Sequence, residues 1–165
     1  MYTHPEGVDS LVLFVSAKVK EIARQGRSFP WDKPRCCPRC QSSLWWHGFV
    51  LAYFAACAEP VYLRRLRCPG CNAIHRLRPA GYFRRIRSSI LEVKESLSHR
   101  AHRNRWRPDL PRGRQRQWWR RLCRLSLMEF GCSHATSILV SFYLLIRTNI
   151  IPITSAMKNE NRTVR

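Results

Sequence analysis

Two short stretches constrain this 165-residue chain more than any others: Cys37-Pro38-Arg39-Cys40 and Cys68-Pro69-Gly70-Cys71. Both are C-P-x-C turns, and 27 residues lie between Cys40 and Cys68. Such a turn presents two thiols on one side, and proline at its second position pre-sets the backbone. Two turns supply four soft sulfur donors. That set suits a tetrahedral zinc ion and leaves no open position for water or substrate. The spacing therefore predicts one structural Zn2+ held by Cys37, Cys40, Cys68 and Cys71. The competing readings are free thiols or a redox C-x-x-C, and the latter needs a βαβ setting that the sequence does not offer. Cys36 abuts the first turn, but Cys37 reproduces the two-residue gap of the second. A ribbon this small buries little apolar surface, so the metal is expected to supply about 10 kcal/mol or more of its folding free energy.

Charge narrows the partner. Thirty Lys and Arg against ten Asp and Glu give a net charge of +20, and 25 of the thirty are Arg. An excess of this kind points to a polyanion, because neutralising phosphates releases counterions, and the guanidinium fork matches phosphate geometry. Solubility or coding bias accounts for the same excess with no partner, and that alternative stays open. The apolar segment after Val8 follows Glu6, contains Asp9 and has no basic start, so it does not read as a secretory signal. A reducing, cytoplasmic setting is expected. Ile138–Ile146 is apolar but short of the about 20 residues a membrane span needs, and no membrane association is expected.

The expected fold class is α+β: a small antiparallel zinc ribbon flanked by an N-terminal helix and two to three C-terminal helices. Val8, Leu11, Val15, Val19 and Ile22 recur at steps of three and four, which predicts one helix over 8–25 inside an N-terminal segment 1–35. Residues 36–79 form the ribbon, with strands after the first turn and on both sides of the second, and a bulge at Gly48. A helix packed on the ribbon occupies 80–100, begun by the Ser89/Glu92 capping box. Residues 101–117 read as an Arg-rich linker, because Pro108 and Pro111 break any helix. A helical hairpin over 118–151, turning at Gly131, and a flexible tail over 152–165 complete the chain. The first of the two hairpin helices is expected from Gln115 to Phe130.

Arg64, Arg65, Arg67, Arg76 and Arg78 on the ribbon, with Arg112, Arg114 and Arg116 after it, are the expected contacts to nucleic acid. Trp106 either stacks on a base or packs on its own domain, and the sequence favours neither. His47 and His75 are expected to be ordinary strand histidines or phosphate contacts, since four cysteines already fill a tetrahedron. Cys57 reads as a small buried apolar residue.

The Cys37-Pro-x-Cys40 turn, the Trp46-His47-Gly48 that follows, the Leu66-Arg67-Cys68-Pro-x-Cys71 return and Arg76-Leu77-Arg78-Pro79 resemble the zinc ribbon of bacterial insertion-sequence transposases and related small mobile-element proteins. Pro111–Trp118 is similar to a Gly-Arg-Gln-Arg-x-Trp stretch in the small proteins. The resemblance spans 29–125 and implies DNA binding. It stops short of strand transfer, which in the transposases needs an acidic triad on a ribonuclease-H-like domain. This chain has three Asp and seven Glu, none in such a setting. No nucleophile motif, phosphate-cradling loop or H-E-x-x-H is present, and an enzyme is not expected. Two alternatives stand beside DNA binding: an RNA-binding ribbon, and an interaction module that docks a homodimer or protein partner through Ile138–Ile146.

Overall fold

In the computed structural model, which describes residues 11–131 and 135–153, the first element is a strand. β1 (Leu11–Val15) precedes a seven-residue helix α1 (Val19–Gln25) and a 3-10 turn over Gly26–Ser28. This corrects the expected single helix over 8–25; residues 8–10 lie outside the described residues. Leu11–Val15 is an unbroken apolar run, a pattern that suits a strand or a buried helix equally, so pairing partners decide. The partner is β4 (Ile74–Pro79), against which β1 lies parallel, with Leu13 opposite Leu77.

β2 (Trp45–Ala52) and β3 (Val61–Arg67) complete a four-stranded sheet of order β1-β4-β3-β2. The β2–β3 and β3–β4 pairs are antiparallel. Successive residues of a strand face opposite ways, and β3 uses both faces. Val61 and Leu63 join Val19, Ile22, Ala52, Phe54 and Tyr82 in one apolar cluster. Leu66 and Cys68 join Cys37, Leu44 and Leu77 in the other. The thiol turns are thus part of a core.

The chain divides into an N-terminal unit, 1–89, and a C-terminal unit, 90–165. Three helices describe the second: α2 (Ile90–Arg103), α3 (Arg112–Phe130) and α4 (Ala135–Arg147). α2 packs against both α3 and α4, and α3 against α4. Val93, Leu97, Trp118, Leu122, Ile138, Phe142 and Leu145 are buried. The Arg-rich linker is corrected to a short loop over 104–111. Pro111 does not break α3; it stands at the N-cap, where its missing N–H costs no helical hydrogen bond, and Arg112 begins the helix directly. Gly131 ends α3 in the left-handed conformation (φ 65°), its N–H bonded to Leu127 O.

Gln115, fully buried, ties that loop down. Its Oε1 accepts from Ser96 Oγ (2.9 Å) and Arg107 N (3.0 Å), and its Nε2 donates to the carbonyls of Arg107 (2.8 Å) and Leu110 (2.9 Å). All the capacity of the amide nitrogen and oxygen is used, which is what a buried amide requires. Among the described residues no helix is long and apolar enough to cross a membrane.

Candidate metal centre

Each C-P-x-C turn folds back on its own backbone. Cys37 N–H bonds Ser42 O (2.8 Å) and Gln41 N–H bonds Cys37 O (2.9 Å), while Cys68 N–H bonds Ala73 O (2.9 Å). The residue after the second cysteine is left-handed in both turns: Gln41 at φ 62° and Asn72 at φ 57°. The turns therefore reverse alike and meet. Gly70 is required by that meeting rather than by its own dihedrals. A Cβ there would lie 2.5 Å from Ser42 Oγ and 3.5 Å from Cys40 Sγ.

The Sγ atoms of Cys37, Cys40, Cys68 and Cys71 all lie within 4.8 Å of one another. Cys40 and Cys68 are 3.3 Å apart and Cys37 and Cys71 3.7 Å apart. A zinc tetrahedron with Zn–S bonds of about 2.3 Å has edges of about 3.8 Å, so the donor set fits a metal ion of that kind. Thiolates this close repel one another, and a divalent cation removes the conflict. The titration of the group reflects it. Side-chain and backbone hydrogen bonds with Ser42, then one with Cys68, hold the Cys40 thiol down at about 6. The Ala73 backbone bond favours the Cys71 thiolate, yet burial and the bonds to Cys40, Cys68 and Cys37 together push that thiol up to about 11.

Cys36 stands outside the cluster; its Sγ donates to Gln41 Oε1 at 3.0 Å. Cys57 is half-buried against the Val61/Leu63 cluster. His75 is more than a strand histidine. It is fully buried, and its Nε2 lies 3.3 Å from Cys37 Sγ. Burial, and then the charge of Arg39, lower its pKa, so the ring is neutral. A proton on Nε2 donates to the Cys37 sulfur and leaves Nδ1, which has no partner among the described residues, as a bare acceptor. The sequence signal is faint: a histidine four residues past Cys71, which the structure pairs with Leu66.

The arginines singled out in the sequence separate into three kinds. Arg78 is only 6 % exposed, lies over the Phe54 ring and donates to Ile86 O, so it serves the core and is corrected out of the contact set. Arg65 and Arg76 face each other across β3–β4, and neither Nε has a partner among the described residues. Arg67 bonds Asn72, and Arg64 lies over Trp46 and Phe49. Arg112 and Arg116 are exposed on α3, whereas Arg114 reaches Glu92 at 4.0 Å. Arg120 and Arg124 continue the four-residue spacing of Arg112 and Arg116 and are also exposed. That spacing is visible in the sequence once Pro111 is allowed to begin a helix. Trp106 is half-buried under the guanidinium of Arg100. Arg107 is held by Asp109 and Glu95, which raise its pKa.

No protein-family model matches the chain, and no curated protein or solved structure matches it either.

Proposed function

We propose that this chain is a zinc-stabilised nucleic-acid-binding protein without catalytic activity of its own, with DNA as its target. The observation that carries the proposal is the stripe of Arg112, Arg116, Arg120 and Arg124 along α3. All four are exposed, and none has an acidic partner among the described residues. A four-residue step advances about 6 Å along a helix, which sets the guanidiniums out as a ladder for a row of phosphates. Arg64, Arg65, Arg67 and Arg76 add charge on the sheet. Four thiolates favour zinc over harder cations and leave it no open position, so the metal is a clamp. The resemblance to transposase ribbons favours DNA over RNA, and the lack of an acidic triad speaks against strand transfer.

The test is fluorescence anisotropy with a random-sequence duplex across a salt series. If all four stripe arginines contact phosphates, log K should fall with log salt at a slope of about −4. Arg116→Glu with Arg120→Glu should flatten it. A flat series for the unaltered chain would sink the proposal. Structured RNA at the same salt discriminates the RNA reading.

One observation favours a second reading. α4 buries Ile138, Phe142 and Leu145 but leaves Val140, Tyr143 and Leu144 exposed. That face supports self-association through α4, and size-exclusion of Val140→Ser with Leu144→Ser tests it. A change in assembly with unchanged DNA binding would make the two roles separate.

A further inference from the structure

The β2 bulge creates a site that the metal and the helical arginines leave unused. Trp46 pairs with Leu66 and Phe49 with Arg64, so His47 and Gly48 together oppose Arg65 alone. Gly48 takes φ 76° to allow it. In a regular strand, residues three apart face opposite ways. The extra residue brings Trp46 and Phe49 to the same face, the face of Arg64. The Arg64 guanidinium lies 4.7 Å from the Trp46 ring centroid and 4.4 Å from that of Phe49. From the other side, the connector after α1 contributes Arg27, Phe29 and Trp31, with the Phe29 and Trp31 rings edge to face at 5.0 Å. These six residues line an open cleft of about 180 Å³, with no carboxylate among them.

We infer that this cleft receives one unstacked base of a single-stranded nucleic acid, with Trp46 as its stacking platform. Trp46 is 40 % exposed, with the Arg64 guanidinium over its ring. Every base offers a π-face, and aromatic platforms beside cations are how sequence-tolerant single-strand sites are built. Arg27 lies 4.7 Å from the Tyr62 ring centroid and Lys33 6.0 Å from that of Trp46, so both stand at the cleft with charge available for the flanking phosphates. The cleft lies against β2, an outer strand of the sheet, where a single strand can approach without displacing another strand.

This inference rests on the nucleic-acid reading above and adds the strandedness of the target. The test compares labelled single-stranded DNA, single-stranded RNA of the same sequence and duplex DNA at one salt concentration. The proteins are the unaltered chain, Trp46→Ala and Trp46→Phe, each with its metal content checked. Trp46→Ala should lose roughly 5- to 100-fold in single-strand affinity. Its salt slope should not change, because no charge is removed. Trp46→Phe should recover most of the loss, duplex affinity should stay the same, and 2-aminopurine in the single strand should be quenched only by proteins with an aromatic ring at 46. The DNA and RNA arms tell which strand the cleft prefers. Equal affinity of Trp46→Ala and the unaltered chain for single strands would overturn this inference while leaving duplex binding and its salt slope intact. Absence of binding to any of the three nucleic acids would overturn both.

Discussion

The N-terminal and C-terminal units carry the same formal charge, fifteen Lys and Arg against five Asp and Glu each. Their interiors differ. In the first, the groups brought inward include thiols that cannot all ionise side by side, and two of the four, Cys37 and Cys68, are fully buried within an apolar cluster. In the second, the buried polar groups are Gln115 and the serines Ser96, Ser126 and Ser141, and the four hydrogen bonds of Gln115 are all supplied by the chain itself. One interior gathers four thiols that fit a metal ion, and the other satisfies its buried amide with the chain's own groups. Charge, shared equally, says nothing about which unit stands alone; the chemistry of the buried groups does.

The largest effect that tests this contrast is metal removal. Zinc bound by four thiolates contributes on the order of 10 kcal/mol to a small domain. A strong chelator should therefore abolish the dispersed amide signals of β1–β4, while far-ultraviolet circular dichroism keeps the helical signal of α2–α4. Loss of both together would show that the C-terminal unit is not self-sufficient. Cys37→Ser should reproduce the chelator result and Cys36→Ser should not, because Cys36 Sγ points to Gln41.

Gln115→Ala is the mirror experiment. It strands the Ser96 hydroxyl, the Arg107 N–H and two carbonyls, some of which recover water. A cost of about 3 kcal/mol follows from leaving one or two buried groups unpaired. Thermal unfolding should show that cost in the helical transition with metal content unchanged. A metal-dependent response would break the contrast between the units.

Covalent pattern and tertiary pairing account for what the sequence revealed. The two C-P-x-C turns name their own ligands, because thiol spacing on a turn is a local property, while the meeting of the two turns that puts all four Sγ atoms within 4.8 Å is a long-range contact. The two strands around the second turn and the helices after residue 89 are equally local. β1 was not legible. Leu11–Val15 fits a strand or a helix, and the free edge of β4, about 60 residues later by the register of Leu11 with His75, made the choice. The start of α3 is hidden for a different reason: Pro111 reads as a breaker in the sequence, although proline before or at the first turn removes no helical bond. The inward turn of Arg78 depends on Phe54, Tyr82 and the Ile86 carbonyl, three partners from outside its own strand.

His75 gives the smallest effect and the finest test of how the metal unit is completed. Its Nε2 lies 3.3 Å from Cys37 Sγ, and burial favours the neutral ring, whose Nε2–H tautomer donates to that sulfur. A hydrogen bond to a ligating thiolate drains charge from it and fixes its direction. Removing such a partner costs about 10- to 100-fold in metal affinity, without removing a ligand. His75→Phe fills the buried space and cannot donate. In competition with a chromophoric chelator it should therefore bind zinc about 10- to 100-fold more weakly, with one ion per chain retained at saturation. His75→Gln keeps an N–H within reach and should recover part of the loss. Equal affinities for all three proteins would mean that the ring only packs, and that the four thiolates complete the N-terminal unit unaided. Loss of the ion at saturation in His75→Phe alone would instead make the imidazole a ligand and displace one of the cysteines from the set.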